Sequence, residues 1–402
     1  MSIHPLPDGA VRQLGATLAV TTPVLLVKEL LDNSFDSGAT AISIFISSDA
    51  VGRIEVRDNG RGIHPVDFSS LGRSGYTSKL RSLNKLPQIG GSSLGFRGVA
   101  LSSITALAEV TVTTRTSRET VSTIIRLVEG HGGVVEGCRA TPVGTNVCVK
   151  NLFAKHPVRL RRVMEDAPSA IAKIKQLLHS YVLARHQTRI EFRVLGKPDS
   201  IWFYTPKPGS GVEEAAIQLF GPAVPSQNAL VRSHHTSRGN TRRSLGVGEP
   251  VFSFEGLLPR PTVHQELRRG VFFSVDLRPI SPSRGIGKKL LTRTRIYINR
   301  WLSPVRSTGN NPFILMNISC PPGSYDINIE PAKDDVLFAD ENQLMDEYTG
   351  FLSSIYNSQE AGDYGDSECG AQAYMPPTDP GTQNDDHPSQ VGSDGHPPKN
   401  LR

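Results

Sequence analysis

The chain has 402 residues, of which 38% are hydrophobic, and this length exceeds the roughly 250–300 residues at which a single core stops growing. Two domains are therefore expected. A net charge of +6 favours a polyanionic partner only weakly. The sequence contains no run of about 18 apolar residues and no secretory signal, so a soluble intracellular protein is expected. Its four cysteines form no C-x-x-C pair, so neither a zinc site nor a disulfide framework is suggested.

The first half predicts a helix followed by paired strands and further helices. Thr22 is a good N-cap, Pro23 suits the first helical position and Gly38 is a stop, so residues 23–37 form a predicted helix. Alternating apolar residues predict strands at 42–47 and 53–58. The sequence also predicts strands at 108–115, 121–128 and 145–150 and a helix at about 166–186. This order favours an α/β sandwich over a doubly wound parallel sheet.

The second half predicts a further, smaller α/β domain. Strand-like runs occupy 200–205, 251–258, 270–277, 294–302 and 313–320, and a helical pattern follows at about 341–356. The polar, basic stretch 231–248 is predicted to be a long loop. Beyond it, the Gly-, Pro- and Ser-rich composition after residue 355 is typical of a disordered tail. The predicted domains are thus 1–204 and 205–355, with a linker or tail at 356–402.

The first predicted helix carries polar groups on one face. Glu29 and Asn33 stand four residues apart, and Asp36 lies nearly one turn further on. Leucines crowd the same turns, and a carboxylate in such surroundings is partly desolvated, which suits a general base. An exposed charged stripe would give the same spacing.

Four other segments could bind an anionic ligand. "VRDNGRGI" places Asp58 at a strand end before two glycines, although D-N-G alone is usually a turn. "GRSGYTSKL" supplies hydroxyls and a cation. "GGSSLGFRGVALSSITAL" is a glycine-rich loop that leads into an apolar helix and can present backbone N–H groups to phosphate, or be merely structural. "PVGTNVCVKNLFAKHPVR" combines a Gly-Thr strand start with a basic turn.

Taken together in this order, these segments resemble the nucleotide-binding motifs of the GHKL ATPases, which include gyrase B, Hsp90 chaperones, histidine kinases and MutL proteins. "TSKL", "GFRGVAL", "LFAKHPVR" and "YDINIEPAKDDVLF" are similar to the MutL mismatch-repair branch, specifically the N-terminal region of a eukaryotic homologue. The resemblance runs from about Leu14 to Phe338. It implies a GHKL (Bergerat) α/β sandwich followed by a smaller α/β transducer-type domain.

The resemblance implies a role for each matching residue, with ATP and Mg²⁺ as cofactors. Glu29 would be the general base for the attacking water and Asn33 would hold the magnesium. Asp58 would accept from the adenine amine, with Gly62 close beneath the base. Lys333 would reach the γ-phosphate from the second domain. The remaining implied nucleotide contacts are Thr77, Ser78, Lys79, Gly95, Phe96, Arg97, Gly98, Val99, Ala100, Leu101 and Thr145.

One position departs from the family pattern, because Val99 stands where G-F-R-G-E-A-L has a glutamate. If only the backbone N–H at this position meets phosphate, the valine is harmless. If the glutamate's charge orders the loop, hydrolysis is slowed. The resemblance therefore implies a weak DNA mismatch repair ATPase that dimerises and clamps DNA, or alternatively an ATP-gated scaffold with negligible hydrolysis.

A basic run in the second domain is a candidate DNA-binding surface, since family members hold DNA through its phosphates in a basic channel. A solvated charged surface is the alternative. "GIGKK" within this run lacks the glycine spacing and the Ser or Thr of a P-loop. The run comprises Arg284, Lys288, Lys289, Arg293, Arg295 and Arg300.

The resemblance also implies partners and a location. Expected partners are double- and single-stranded DNA bound without sequence preference, a second MutL homologue in a heterodimer, and mismatch-recognition MutS homologues, with no membrane. Nuclear residence is expected from the family. No segment resembles the family's C-terminal dimerisation or endonuclease domain, so an N-terminal fragment or a shortened paralogue is expected.

Overall fold

A computed structural model of the chain describes residues 20–77, 79, 93–95, 98–233, 252–260, 270–301, 312–327 and 333–356. All of them belong to one unit, Met1–Gln359. Most of the loop predicted at 231–248 and all of the tail predicted at 356–402 except Tyr356 lie outside the described residues. The domain boundaries given above stay predictions.

An eight-stranded sheet forms the first region, and its order is β5-β4-β3-β6-β2-β1-β7-β8. The β1–β7 pair is parallel and the other pairs are antiparallel. The strands predicted in the first half are confirmed, whereas β5 and β7 were not predicted. The strands are β1 Ala41–Ser47, β2 Arg53–Asp58, β3 Glu109–Arg115, β4 Ser122–Val128, β5 Gly132–Arg139, β6 Gly144–Lys150, β7 Arg189–Leu195 and β8 Trp202–Tyr204.

The helices of this region are α1 Pro23–Asp36, α2 Ala100–Leu107, α3 Pro157–Glu165 and α4 Ala167–Ala184. The predicted cap of α1 is confirmed, because the Thr22 hydroxyl accepts a hydrogen bond from the Leu25 amide at 3.2 Å. The aromatic rings of Phe35 on α1 and Tyr181 on α4 stack with centroids 5.2 Å apart. This packing holds α1 against α4.

The second region is built on a five-stranded sheet of order β12-β11-β13-β10-β9. Its strands are β9 Asn228–Arg232, β10 Ser253–Pro259, β11 Val271–Val275, β12 Arg278–Ile280 and β13 Ile314–Ser319, with a separate short pair β14 Tyr325–Asp326 and β15 Leu337–Phe338. Its helices are α5 Val212–Phe220, α6 Ala223–Gln227, α7 Gly285–Trp301 and α8 Glu341–Tyr356. The smaller α/β region and the helix predicted at 341–356 are confirmed.

The strand predicted at 294–302 is wrong, because residues up to Trp301 belong to α7. Ile296 at the centre of the expected alternation is 46% exposed. The buried positions follow helical spacing instead, and they are Ile286, Leu290, Leu291, Thr294, Tyr297 and Ile298.

An aromatic cluster joins the two regions. Phe220 at the end of α5 lies 5.5 Å from Phe272 and 5.2 Å from Phe313, measured between ring centroids. Buried Leu183 of α4 and Leu257 of β10 belong to the same cluster. Within the described part of the chain, no helix has the length and apolar character needed to cross a membrane.

Candidate functional site

The polar face of α1 lines a cavity of about 780 Å³. This volume lies in the range of roughly 300–1,000 Å³ that is usual for small-molecule sites. The cavity brings together all the sequence-predicted nucleotide contacts that fall within the described residues; Ser78, Phe96 and Arg97 lie outside them. Its lining includes Glu29, Asn33, Asp58, Gly62, Thr77, Lys79, Gly95, Gly98, Val99, Ala100, Leu101, Thr145 and Lys333.

Glu29 and Lys333 form a buried ion pair across the two regions. The Lys333 Nζ donates to Glu29 Oε2 at 2.8 Å. Lys333 is 4% exposed and Glu29 is 8% exposed. Lys333 has a left-handed backbone, with φ of +51°, and its carbonyl accepts from Lys28 Nζ at 3.3 Å. The ammonium group of the second region thus contacts the candidate general base directly.

A second cluster of buried charged side chains lies next to this pair. Lys28 lies 3.7 Å from Asp32, whose other carboxylate oxygen accepts from the Tyr181 hydroxyl. Burial lowers the pKa of Lys28 and raises that of Tyr181. Burial also disfavours the charged form of Asp32, but nearby Lys28 and Arg278 hold its pKa below the usual value. An ionised Asp32 therefore neutralises part of the excess positive charge behind the cavity.

Asp36 organises the opposite end of the cavity. Its Oδ2 accepts from Lys79 Nζ at 2.6 Å, from the Ser93 hydroxyl at 2.8 Å and from the Gly95 amide at 2.9 Å. Its Oδ1 accepts from the Leu94 amide at 2.8 Å. Three of these four donors belong to residues 93–95, which we call the loop start, so the carboxylate holds the loop start against α1. This function of Asp36 was not predicted.

The Lys79 ammonium also donates to the side-chain oxygen of Asn33 at 2.8 Å. A Cβ added to Gly95 would lie 2.9 Å from the same Lys79 Nζ. A side chain at this position would therefore displace the Lys79 ammonium group from its place beside the loop start.

Asp58 stands at the end of β2, where α1 and the "DNG" turn converge. Its carboxylate accepts from the Ser34 hydroxyl at 3.0 Å and from the Gly60 amide at 2.9 Å. Burial raises the pKa of Asp58, and these hydrogen bonds offset part of that rise. Such a carboxylate is a directed acceptor for a donor that enters the cavity.

Gly62 forms a close backbone approach at the same end. Its φ is +75°, and an added Cβ would lie 2.2 Å from the Arg115 carbonyl oxygen. The Thr145 hydroxyl is 3.1 Å from that of buried Thr114, which also accepts from the Ile63 amide at 2.9 Å. These contacts fix the "DNGRGI" turn to β3 and β6.

Val99 lies at the N-cap position of α2 and lines the cavity. Its carbonyl accepts from the Ser103 amide at 2.9 Å, but its side chain makes no capping hydrogen bond. The helix start is therefore held by backbone and by the Ser102 hydroxyl, which donates to the same carbonyl at 2.9 Å.

The predicted DNA-binding residues lie on or beside α7 and do not line the cavity. Lys289 and Arg293 are one turn apart, and Arg300 extends the same side. Arg284 pairs with Asp334, and Lys289 pairs with Glu341 at 2.5 Å. Lys288 is exposed and Arg295 half-buried, so the six side chains form a mostly accessible basic surface that is partly neutralised.

Comparisons with known proteins identify the family and the fold. Residues 21–138 match the family described as "Histidine kinase-, DNA gyrase B-, and HSP90-like ATPase". Residues 235–357 match "DNA mismatch repair protein, C-terminal domain". A solved structure titled "Crystal Structure of N terminal domain of a DNA repair protein" has the same fold, with a TM-score of 0.69, 22% identity, and coverage of 87% of this chain and 98% of that one.

Curated relatives extend the match along nearly the whole chain. The MutL mismatch repair protein of Desulforamulus reducens is 29% identical, over 88% of this chain and 50% of its own length. The mouse mismatch repair endonuclease PMS2 is 29% identical, over 89% and 41% respectively. The MutL protein of Ralstonia nicotianae is 30% identical, over 91% and 52%. The chain thus spans about half the length of these relatives, and it belongs to the MutL/PMS-type family of DNA mismatch repair proteins that carry a GHKL ATPase domain.

Proposed function

We propose that the cavity binds ATP and that the chain hydrolyses it slowly, as the N-terminal part of a mismatch repair protein. The contact between Glu29 and Lys333 carries this proposal. A carboxylate and an ammonium group from the two regions meet at 2.8 Å in a cavity of nucleotide size. Phosphoryl transfer to water needs such a base and such a cation, because it depends on positioning and charge neutralisation.

The two groups would act in sequence. A triphosphate in the cavity would compete with Glu29 for the ammonium group, since phosphate oxygens accept strong charge-assisted hydrogen bonds. Glu29 would then be free to accept a proton from the attacking water, and Lys333 would signal the presence of the third phosphate to the second region.

Asn33 fits the predicted magnesium site. Its amide oxygen faces the cavity and already accepts from a cationic group, Lys79. Mg²⁺ prefers oxygen ligands and usually takes one or two from protein, with phosphates and waters completing the octahedron. When bound, it would neutralise phosphate charge. Among the residues that the structure describes, no cluster of three His, Cys, Asp or Glu side chains forms a separate metal site.

Asp58 and Gly62 would recognise the adenine. The Asp58 carboxylate would accept from the exocyclic amine, and Gly62 would let the backbone approach the base without a side chain. Thr145 would lie behind the base, while Thr77, Ser78 and Lys79 would contact the ribose–phosphate part. The loop Gly95 to Leu101 would bring backbone N–H groups to the phosphates.

The basic surface of α7 supports a role in binding DNA backbone, double- or single-stranded. Phosphate contacts of this kind release counterions, so affinity should fall steeply with salt and vary little with sequence. We expect a fluorescent duplex to be released between about 50 and 200 mM salt. Charge reversal at Lys288 and Arg293 should flatten this salt dependence; an unchanged slope would remove α7 from the interface.

The remaining partners follow from the family. We propose a second MutL homologue as the dimerisation partner, MutS homologues as upstream mismatch sensors, and the nucleus as the location. The curated relatives include mismatch repair proteins of animals and plants, which supports nuclear residence. The relatives' greater length leaves room for dimerisation or nuclease segments outside the matched part.

ATP turnover tests the central proposal. Glu29→Ala should lower steady-state turnover about 10²- to 10⁴-fold, because it removes the general base. Nucleotide binding, measured by calorimetry, should persist in the variant. Failure of the wild-type chain to bind ATP or ADP would overturn the proposal.

The same experiment decides between slow hydrolysis and the scaffold alternative. Val99 is the observation that favours the alternative, because its side chain contributes neither charge nor cap at the start of α2. Wild-type turnover equal to that of Glu29→Ala, with binding intact, would leave the ATP-gated scaffold.

A further inference from the structure

The loop start is held from two sides, and the two sides belong to different regions. Asp36 of α1 accepts from the amides of Leu94 and Gly95. On the other side, Arg278 Nη2 donates to the carbonyl oxygens of Ser93 at 3.1 Å and Leu94 at 2.8 Å. At the beginning of the glycine-rich loop, backbone N–H groups therefore donate to a side chain of the first region. Backbone carbonyl groups accept from a side chain of the second region.

Arg278 is buried and rigidly mounted. It is 3% exposed, and it begins β12 directly after the tight turn at Asp276 and Leu277, both of which have positive φ. The Asp276 carboxylate accepts from the Cys320 amide at 2.9 Å and from the Tyr325 hydroxyl at 2.8 Å. This hairpin therefore cannot shift without breaking contacts to the neighbouring segments.

The same hairpin is tied back to the first region. Arg185, which follows α4, donates from Nε to the Leu277 carbonyl at 3.1 Å. The second guanidinium nitrogen of Arg278, Nη1, is buried with no hydrogen-bond partner among the described residues. An arginine that leaves one nitrogen unsatisfied in a buried site is costly, which argues against a purely stabilising role.

We propose that Arg278 is a positioning residue for nucleotide binding: it sets the loop start so that the following backbone amides can meet the phosphates. This inference rests on the proposed ATP-binding function. Arg278 and Lys333 belong to the same region, so one movement of that region would alter both the loop start and the ammonium group at Glu29. The second region would then control phosphate binding at two points rather than one.

The test compares ligands with and without phosphates. Arg278→Met removes the donor while keeping much of the buried stem. We expect its affinity for a non-hydrolysable ATP analogue to fall about tenfold, because charge-assisted hydrogen bonds to two carbonyls are lost. Its affinity for adenosine, measured by competition against a fluorescent nucleotide, should stay within about twofold, since Asp58 and Gly62 are untouched.

A matched control and a conservative variant complete the experiment. Arg260 also donates to backbone carbonyls, those of Pro225 and Asn228, but entirely within the second region. Arg260→Met should therefore leave both affinities unchanged. Arg278→Lys keeps the charge on a side chain one bond shorter, so it should recover part of the lost affinity for the analogue.

The outcomes separate the two proposals. The positioning role would be overturned if Arg278→Met bound the analogue as tightly as the wild type does. It would also be overturned if the folded variant lost affinity for the analogue and for adenosine equally. If Arg278→Met does not fold, Arg278→Lys decides: a selective loss for the analogue supports the role, and wild-type affinities overturn it. Absence of binding by the wild-type chain would instead overturn the proposed function.

Discussion

The first region lines the cavity along its whole length. Among the described residues, the second region contributes Lys333 to the cavity lining. In the first region, Asp36 binds Lys79 and the loop start over sequence separations of 43 to 59 residues. Glu29 and Lys333 are 304 residues apart. The residues proposed to contact adenine thus belong to one region, whereas the loop start and the contact that would sense the third phosphate are held from both regions.

This difference separates two properties of the site. Binding an adenine nucleotide should depend mainly on the first region. Discriminating ATP from ADP should depend on how the second region is placed. Substitutions at the Asp36–Lys79 and Glu29–Lys333 pairs can therefore test whether the properties are separable.

The largest effect is expected at Asp36. Asp36→Asn would replace one of the two acceptor oxygens by an NH₂ group. That group would face either the Leu94 amide or the donors on Lys79, Ser93 and Gly95, depending on how the side chain is turned. We expect affinity for the ATP analogue and for ADP to fall together by about 10- to 100-fold, at about 1.4 kcal/mol per factor of ten. Calorimetric titration with each nucleotide measures this loss.

Asp49 provides the control for that substitution. Its carboxylate also accepts backbone amides, those of Val51 at 3.0 Å and Gly52 at 2.9 Å, but in a turn away from the cavity. Asp49→Asn should leave both affinities unchanged. Unaltered nucleotide binding in Asp36→Asn would show that the loop start does not need this carboxylate.

A smaller and more selective effect is expected at Lys333. Lys333→Met removes the ammonium group at Glu29 without touching the adenine end of the cavity. Affinity for the ATP analogue should fall about tenfold while affinity for ADP stays within about twofold. The ratio of the two dissociation constants is the measurement. A parallel loss for both nucleotides would contradict the proposed role in sensing the third phosphate.

Lys207 is a suitable control for this substitution, because it forms an exposed ion pair with Glu214. Exposed pairs contribute little, about 0–1 kcal/mol. Lys207→Met should therefore change neither dissociation constant.

The sequence predicts the local parts of this site well. The cap at Thr22, the helical spacing of Glu29 and Asn33, and the alternation in β1 and β2 are all set by neighbouring residues, and the structure confirms the elements. The resemblance then indicates which side chains share a cavity. β5 was missed because three glycines and mostly exposed positions leave it no apolar alternation. β7 alternates clearly, so its pattern could have been found.

Contacts made by folding distant segments together could not be predicted from patterns. Nothing in the sequence around Arg278 indicates that its guanidinium reaches Ser93 and Leu94, which are 185 and 184 residues away. Asp32 and Tyr181 likewise meet only because α1 packs on α4. The run 294–302 shows the alternation of a strand over a short window. The buried residues before it have helical spacing, and the segment continues their helix, α7.

The smallest effect concerns the contact between the regions, on which the placement of Lys333 depends. The His179 ring packs 5.2 Å from that of Trp202 and 5.6 Å from that of Phe220, which belongs to the cluster joining the regions. Its Nε2 is buried without a hydrogen-bond partner among the described residues. Burial, with a smaller contribution from Lys175, lowers the pKa of His179 from 6.5 to about 4.

Protonation should therefore weaken this contact as the pH falls. Between pH 6.5 and 4 the unfolded chain binds a proton at His179 that the folded chain does not, so stability present above pH 6.5 is progressively lost below it. Allowing for partial exposure, the loss amounts to about 1 kcal/mol at pH 5. In urea unfolding at pH 7.5 and 5, the wild type should lose about that much more stability than His179→Phe, whereas exposed His131→Gln should follow the wild type. If His179→Phe lost as much stability on acidification as the wild type, His179 would be titrating in solvent, and the contact between the regions would not depend on its neutral form.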